Sequence, residues 1–284
     1  VINREDSRLA TLPATAAPPL AAQVYWYGLA PHLAPRFPQD DDLYRADDLS
    51  ESWANDVDGI LPAATVTLTA LDSTRATFDL DGSLFCTPLQ LKGIYNTYNA
   101  AAALALVRVI LEGEGVAGAG TGAAGVSRLM SDPHLIHTLA QIQSAFGRGE
   151  ALTIDGCEIE LFLVKNPGGF RLALESFDPT GHDTMIAIND EYADGRDMSW
   201  LFDVGFATLH STGVAMVSGV RAYDMALRLH YDEVPFAAVD PTLVTATNTF
   251  LAQSAHPKRI YCTYTAMLAI RKHLATRAHL SKVV

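Results

Sequence analysis

The stretch EIELFLVKNPGGFRLALESF, residues 158–177, decides the fold. Its first half is a short apolar run of strand type, its second half has helical spacing, and only KNPGG separates them. A first helical turn tolerates proline, so Pro167 marks where the helix begins. The same unit recurs along the chain. TMIAIND (184–190), GVAMVSG (213–219) and RIYCTYT (259–265) are short apolar strands, while GVRAYDMALRLH (219–230), PTLVTATNTFLAQS (241–254) and TAMLAIRKHLATRAHL (265–280) are helical segments. Strand and helix alternating across brief loops specify an α/β unit, a parallel Rossmann-like sheet covered by helices on both faces. Functional residues in such sheets gather in loops at the carboxyl ends of the strands. VKNPGGF, NDEYADGRD and SGVRAYD all fall at that edge.

Toward the N-terminus the pattern changes. TVTLTAL (65–71), RATFDLDG (75–82) and LFCTPLQLKG (84–93) alternate apolar and polar residues, which predicts a β-meander with one buried face. IYNTYNAAAALALVRVILEG (94–113) then turns helical, with an Ala/Leu face suited to close contact with a sheet. Residues 11–62 hold one clear strand, AAQVYWYGL (21–29), and VINREDSRLA reads as a strand end running into a helix. The Gly-rich GEGVAGAGTGAAG (113–125) lacks the GxxxxGK[ST] spacing and follows a helix, so it is read as a connection and not a phosphate cradle. The first residue is Val, so a true N-terminus upstream is expected.

At 284 residues the chain has room for two domains, and 49% hydrophobic with 18% charged residues describes a folded protein. A formal charge of −12 argues against nucleic-acid binding, which needs clustered cations on phosphates. Cys86, Cys157 and Cys262 are far apart without a CxxC pair, which leaves no sequence-evident zinc ribbon and fits a reducing, cytoplasmic setting. No apolar run reaches the roughly 18 residues of a membrane span, so no transmembrane segment is expected. After Asp240 no Asp or Glu follows, while Lys258, Arg259, Arg271, Lys272, Arg277 and Lys282 do. They read as cations on a solvated terminal helix or as a docking face for an acidic partner.

NDEYADGRDMSW (189–200) packs Asp190, Glu191, Asp194 and Asp197 into eight residues. Either this loop is solvated and idle, or something positive or proton-carrying meets it. The DG turn should leave Asp194 and Asp197 projecting, with Arg196 as the nearest compensating cation. Asp190 and Glu191 read as solvating the strand end, Ser199 as a turn or cap residue, and Trp200 as packing.

LKGIYNTYNAAAALA (91–105) resembles the G-x-x-N-x-x-N-A-x-A-A signature that ends the central domain of Mur ligases, and FGRGEALTIDG (146–156) resembles the GR-x-E segment that opens their C-terminal domain. LVKNPGGF, DGRDMSWLFD, GVRAYDMALRLHY and YTAMLAIR, in that order, are similar to the MurT family, Mur-ligase-like subunits of the enzyme that amidates the D-glutamate of lipid II. The resemblance implies residues 1–145 as part of a Mur ligase central ATPase domain, β-meander plus helices, and residues 146–284 as its Rossmann-like C-terminal domain. It implies ATP and Mg²⁺ as cofactors, lipid II at the membrane surface as substrate, and a GatD-like glutamine amidotransferase as partner in a heterodimer.

Residue by residue, the resemblance places Asn99 on adenine, a task suited to an amide that offers donor and acceptor side by side, although Asn99 also reads as a helix cap. It places Arg148 near the ribose. Lys165 and Asn166, ahead of Pro167, would meet an anion at a helix N-terminus; a solvated lysine is the other reading. It also implies that an Asp of this chain orients the partner's catalytic His, Asp197 first and Asp194 second, because a carboxylate fixes an imidazole's tautomer and stabilises its charged form. The family's phosphate-binding loop and four-Cys zinc ribbon have no counterpart in these 284 residues. Two further readings stay open: a scaffold without catalysis of its own that completes a glutaminase, and a Mur or folylpolyglutamate-type ligase joining an amino acid.

Overall fold

The computed structural model describes residues 1–16, 22–37, 61–72, 74–91, 93–117, 131–142 and 148–277. The chain forms two compact units, Val1–Gln143 and Ser144–Val284.

In the first unit the sheet runs β1-β2-β3-β4-β5: Ile2–Asn3, Trp26–Leu29, Val66–Leu71, Arg75–Leu80 and Ser83–Pro88. The first three strands are parallel; β3, β4 and β5 form the antiparallel meander that their alternation predicts. Helix α1 (Ser7–Thr15) follows β1 directly, with Asp6 capping it by accepting from the N–H groups of Arg8 and Leu9. Helix α2 (Ile94–Ala117) buries Ala100, Ala101, Leu104 and Ala105 in one core with Val66, Leu68, Phe78 and Leu80. Small alanines allow that close approach, and each large apolar side chain buried contributes about 1.5–3 kcal/mol. By length and composition Ile94–Leu111 could cross a membrane, but its Ala/Leu face is spent on this core. Arg108 ties α2 to Thr65 O (3.0 Å), Asp81 (2.7 Å) and Asp132 (3.0 Å), the last of these opening α3 (Asp132–Leu139).

Two expectations change here. Asn99 lies in the second turn of α2 and so is no cap. Residues 113–117, read as part of a loop, are the last turn of the same helix, and the rest of the Gly-rich run lies outside the described residues.

In the second unit, β6 (Arg148–Ile154) and β7 (Cys157–Leu163) form an antiparallel hairpin; β8 (Asp183–Ala187), β9 (Met216–Ser218), β10 (Val239–Asp240) and β11 (Lys258–Cys262) complete the order β10-β9-β8-β11-β7-β6. From β7 to β10 all pairs are parallel. The last strand in sequence lies in the middle, with Ile260 opposite both Leu161 and Met185. Its five residues are all buried, as expected of a central strand under two helical layers.

The two-residue period sorts the side chains. Phe162, Ile186, Val217 and Tyr261 join α4 (Pro167–Ser176) and α5 (Ala222–Tyr231) on one face. Leu161, Met185, Met216 and Ile260 join α6 (Leu243–Ala252) and α7 (Tyr264–Leu274) on the other. The segment after β8 packs Leu201, Val204, Phe206 and Leu209 into the first face, whereas α7 after β11 belongs to the second. Neighbouring strands whose continuations leave to opposite faces open a crevice at their carboxyl ends.

The cations near the C-terminus are neither a solvated row nor a docking face in the main. Lys258 is fully buried, its ammonium held by Asp183 and by Ser254 Oγ at 3.0 Å. Arg259 is buried against Glu160 (3.0 Å) and Arg271 against Glu150 (2.9 Å). Lys272 is exposed, Arg277 pairs with Asp155, and Lys282 lies outside the described residues.

Candidate functional site

The carboxyl ends of β8 and β11 are joined by residues from both following loops. Beyond β8, Asn189 donates its backbone N–H to Thr263 Oγ1 (2.8 Å) and its amide Nδ2 to Thr265 Oγ1 (3.0 Å), while its Oδ1 accepts from Val220 N–H (3.1 Å). One side chain thus joins the ends of β8, β9 and β11. Gly219 makes the β9 approach possible: its φ is +91°, and a Cβ there would lie 2.3 Å from Ile188 O.

Asp194 is 4% exposed, which corrects the expectation that it projects from the loop. Its Oδ1 accepts from Thr265 N–H (2.8 Å), and its Oδ2 accepts from the Thr265 hydroxyl and from Glu191 N–H (3.0 Å). Thr265 is the second residue of α7, whose N-cap, Thr263, makes no side-chain cap bond. A carboxylate 71 residues earlier therefore does the capping, placed where the helix dipole favours a negative charge. With those donors engaged inside the fold, Asp194 is unavailable to a second protein.

Asp197 is exposed. Its Oδ1 accepts from Ser199 N–H (2.9 Å), and that bond, with the Ser199 hydroxyl, holds the carboxyl below the usual carboxylate range, so it is ionised at neutral pH. An ionised carboxylate has about four acceptor directions, which leaves capacity for an incoming N–H. Flanking it, Met198 is buried, Ser199 opens a 3₁₀ turn over Ser199–Asp203, and Trp200 packs edge-on to Phe170 with centroids 6.5 Å apart.

That turn is pinned by a clamp that the sequence reading missed. The Arg228 guanidinium, buried on α5, donates to Leu201 O (3.2 Å), Val204 O (2.7 Å) and Asp232, which also accepts from Phe206 N–H (2.7 Å). Arg196, expected to compensate the acidic loop, is exposed; the cation that meets the loop is Arg221, 2.9 Å from Asp190. Asp190 therefore anchors the strand end to the start of α5 instead of merely solvating it.

The remaining predicted residues are dispersed. Asn166 is the N-cap of α4, its Oδ1 accepting from Gly169 N–H (2.7 Å), and Lys165 beside it is exposed. Asn99 is exposed on α2, in the other unit. Arg148 opens β6 opposite Phe162, with its side chain outside the described residues. Around the crevice Tyr192, Val220 and Tyr223 are exposed, Tyr192 to 91%, and Leu227 and Tyr231 extend an apolar stripe along α5. Exposed apolar groups gathered in this way mark surfaces that meet other molecules. A Thr-x-Thr directly after a strand was the available signal for the Thr263/Thr265 half of the network.

Residues 163–267 match the MurT ligase C-terminal family. The chain is 31% identical over 217 residues to the MurT subunit of the glutamine-hydrolysing lipid II isoglutaminyl synthase of Streptococcus pneumoniae, a match covering 74% of this chain and 44% of that protein. It is 29% identical over 150 residues to the Staphylococcus aureus subunit of the same name, covering 51% and 30%. Among solved structures, MurF from Acinetobacter baumannii superposes with a TM-score of 0.57 at 14% identity, covering 95% of this chain and 51% of that one. A type C pseudomurein peptide ligase from Methanothermus fervidus gives 0.51 at 16% identity over 77% and 43%. The fold is that of the Mur ligases, and the matched region is less than half the length of the curated relatives.

Proposed function

We propose, from the match of residues 163–267 to the MurT ligase C-terminal family, that the protein is the ligase subunit of a glutamine-dependent amidating enzyme. It converts the D-glutamyl α-carboxyl of lipid II to D-isoglutamine, with ammonia released from glutamine by a GatD-like glutaminase partner. The observation that carries this reading is the exposed, ionised Asp197 held between two buried anchors at the carboxyl edge of a parallel sheet. Such a group can accept the N–H of a partner's imidazole, fix its tautomer and stabilise its protonated form while a thiol attacks glutamine. The apolar stripe over Tyr223, Leu227 and Tyr231 supports a protein docking beside it.

When bound, ATP supplies the phosphoryl group that makes the carboxylate electrophilic. The resemblance implies Asn99, in the first unit, for the adenine, and Arg148 and Lys165, in the second, for the ribose and a phosphate. Each is proposed on its own chemistry, the exposed Asn99 amide suiting an adenine edge and the exposed Lys165 ammonium a phosphate, and no joint site is derived. Among the described residues no three His, Cys, Asp or Glu side chains converge as metal ligands, so Mg²⁺ would enter with the nucleotide's phosphates and not through a protein cage. No step is assigned to it. Action on lipid II places the protein at the cytoplasmic face of the membrane in this reading.

The test is an amidation assay on lipid II with the full-length protein and ATP, supplying in turn glutamine plus the glutaminase subunit, ammonium, or free amino acids. Amidation with the first two is expected. Incorporation of an amino acid, or no product under any condition, refutes the assignment.

A further inference from the structure

We infer that Asp194 is the positioning residue of this site: by anchoring the 190–198 loop to the start of α7, it sets where Asp197 stands. The inference rests on the proposed role of Asp197. Asp194 and Asp197 are separated by Gly195, at φ +90° with no atom within 4 Å of a notional Cβ, and by the exposed Arg196. Within that dipeptide the Gly195 N–H reaches only Tyr192 O, at 3.4 Å and inside the same loop. The restraint comes from its ends. Upstream, the buried Asp194 carboxylate takes the N–H and hydroxyl of Thr265 and the N–H of Glu191. Downstream, the buried Met198 and the Ser199 N–H bonded to Asp197 lead into the turn clamped by Arg228. The Thr265 hydroxyl is the shared atom, because it also accepts from Asn189 Nδ2. A carboxylate that must meet an imidazole at hydrogen-bond distance gains only if held within a fraction of an ångström, and a misplacement of about 1 Å costs on the order of a hundredfold.

Thr265→Val removes the hydroxyl and keeps the branched shape and the backbone N–H, so the helix retains its cap. Thr265→Ser restores the donor. Both are assayed in the full-length protein with its glutaminase subunit, beside Asp194→Asn and Asp197→Asn. Thr265→Val and Asp194→Asn are expected to lower kcat for glutamine hydrolysis by about tenfold or more. KM for glutamine and ammonium-driven amidation stay within about twofold, and Thr265→Ser recovers the rate. A merely structural role would depress ammonium-driven amidation in parallel, and that result overturns the inference. So does an unchanged Thr265→Val when Asp197→Asn is inactive, with the proposed function left standing. If Asp197→Asn hydrolyses glutamine normally, the reading beneath falls and the inference with it.

Discussion

Asp183 and Lys258 show how a single buried charge is kept. Burial pushes the Asp183 carboxyl up, but the hydrogen bonds from Lys258 and Ser254 outweigh it and hold it below its ordinary value. Because the folded value lies below the unfolded one, the stability it contributes is present above about pH 4 and drains away as the pH falls through the folded pKa. Asp183→Asn leaves an ammonium without its counter-charge under the Phe250 ring, 5.1 Å away. Urea titration at pH 7 should show a loss of about 3–5 kcal/mol, the loss shrinking toward pH 3. A loss independent of pH contradicts the pairing. Cys86 offers a second check: the Arg75 guanidinium donates to its sulfur twice at 3.3 Å and lowers the thiol pKa, whereas burial pushes the Cys262 thiol up. Iodoacetamide at neutral pH should label Cys86 first and leave Cys262 untouched, and Arg75→Ala should slow the labelling of Cys86. Equal rates for Cys86 and Cys262 rule this out.

Among the elements, the βα turn at Gly219 and the clamp at Arg228 set the geometry of the crevice. Gly219→Ala puts a methyl group on Ile188 O in a backbone region that costs an L-residue about 1–3 kcal/mol even without the collision. Urea titration should show a loss of more than about 2 kcal/mol, and an unchanged midpoint would mean that the strand ends are not this close. Arg228→Met should cost about 3 kcal/mol or more, since Asp232 loses its counter-charge and two carbonyls lose a charged donor. The elements themselves were largely legible. The apolar strands around 158–165, 184–190, 213–219 and 259–265 and the helices between them stand where their periodicity puts them, because strand and helix periods are local signals. Hidden from the sequence were pairings across long separations: Asp194 with Thr265, Asp190 with Arg221, and Lys258, Arg259 and Arg271 with carboxylates from distant strands. A cation-rich tail and a carboxylate-rich loop look solvated until the strand order brings opposite charges together, and the central position of β11 is not written in any one segment.

For the whole molecule, each unit has its own core, and the second has one on each face of its sheet. Residues 144–284 expressed alone should therefore fold cooperatively, and Ile260→Ala should lower their transition by about 2–5 kcal/mol, as cavity formation at a closed central strand does. A non-cooperative melt would show that the second unit depends on the first. The same scale carries the functional claim, since the exposed Asp197 carboxylate is proposed to meet another chain. Its most direct test is glutamine hydrolysis by the full-length protein and its glutaminase subunit, with Asp197→Asn against the unaltered pair and complex formation measured alongside. The account predicts a complex of unchanged affinity whose hydrolysis falls by about two to four powers of ten. Undiminished hydrolysis in an intact Asp197→Asn complex would contradict it.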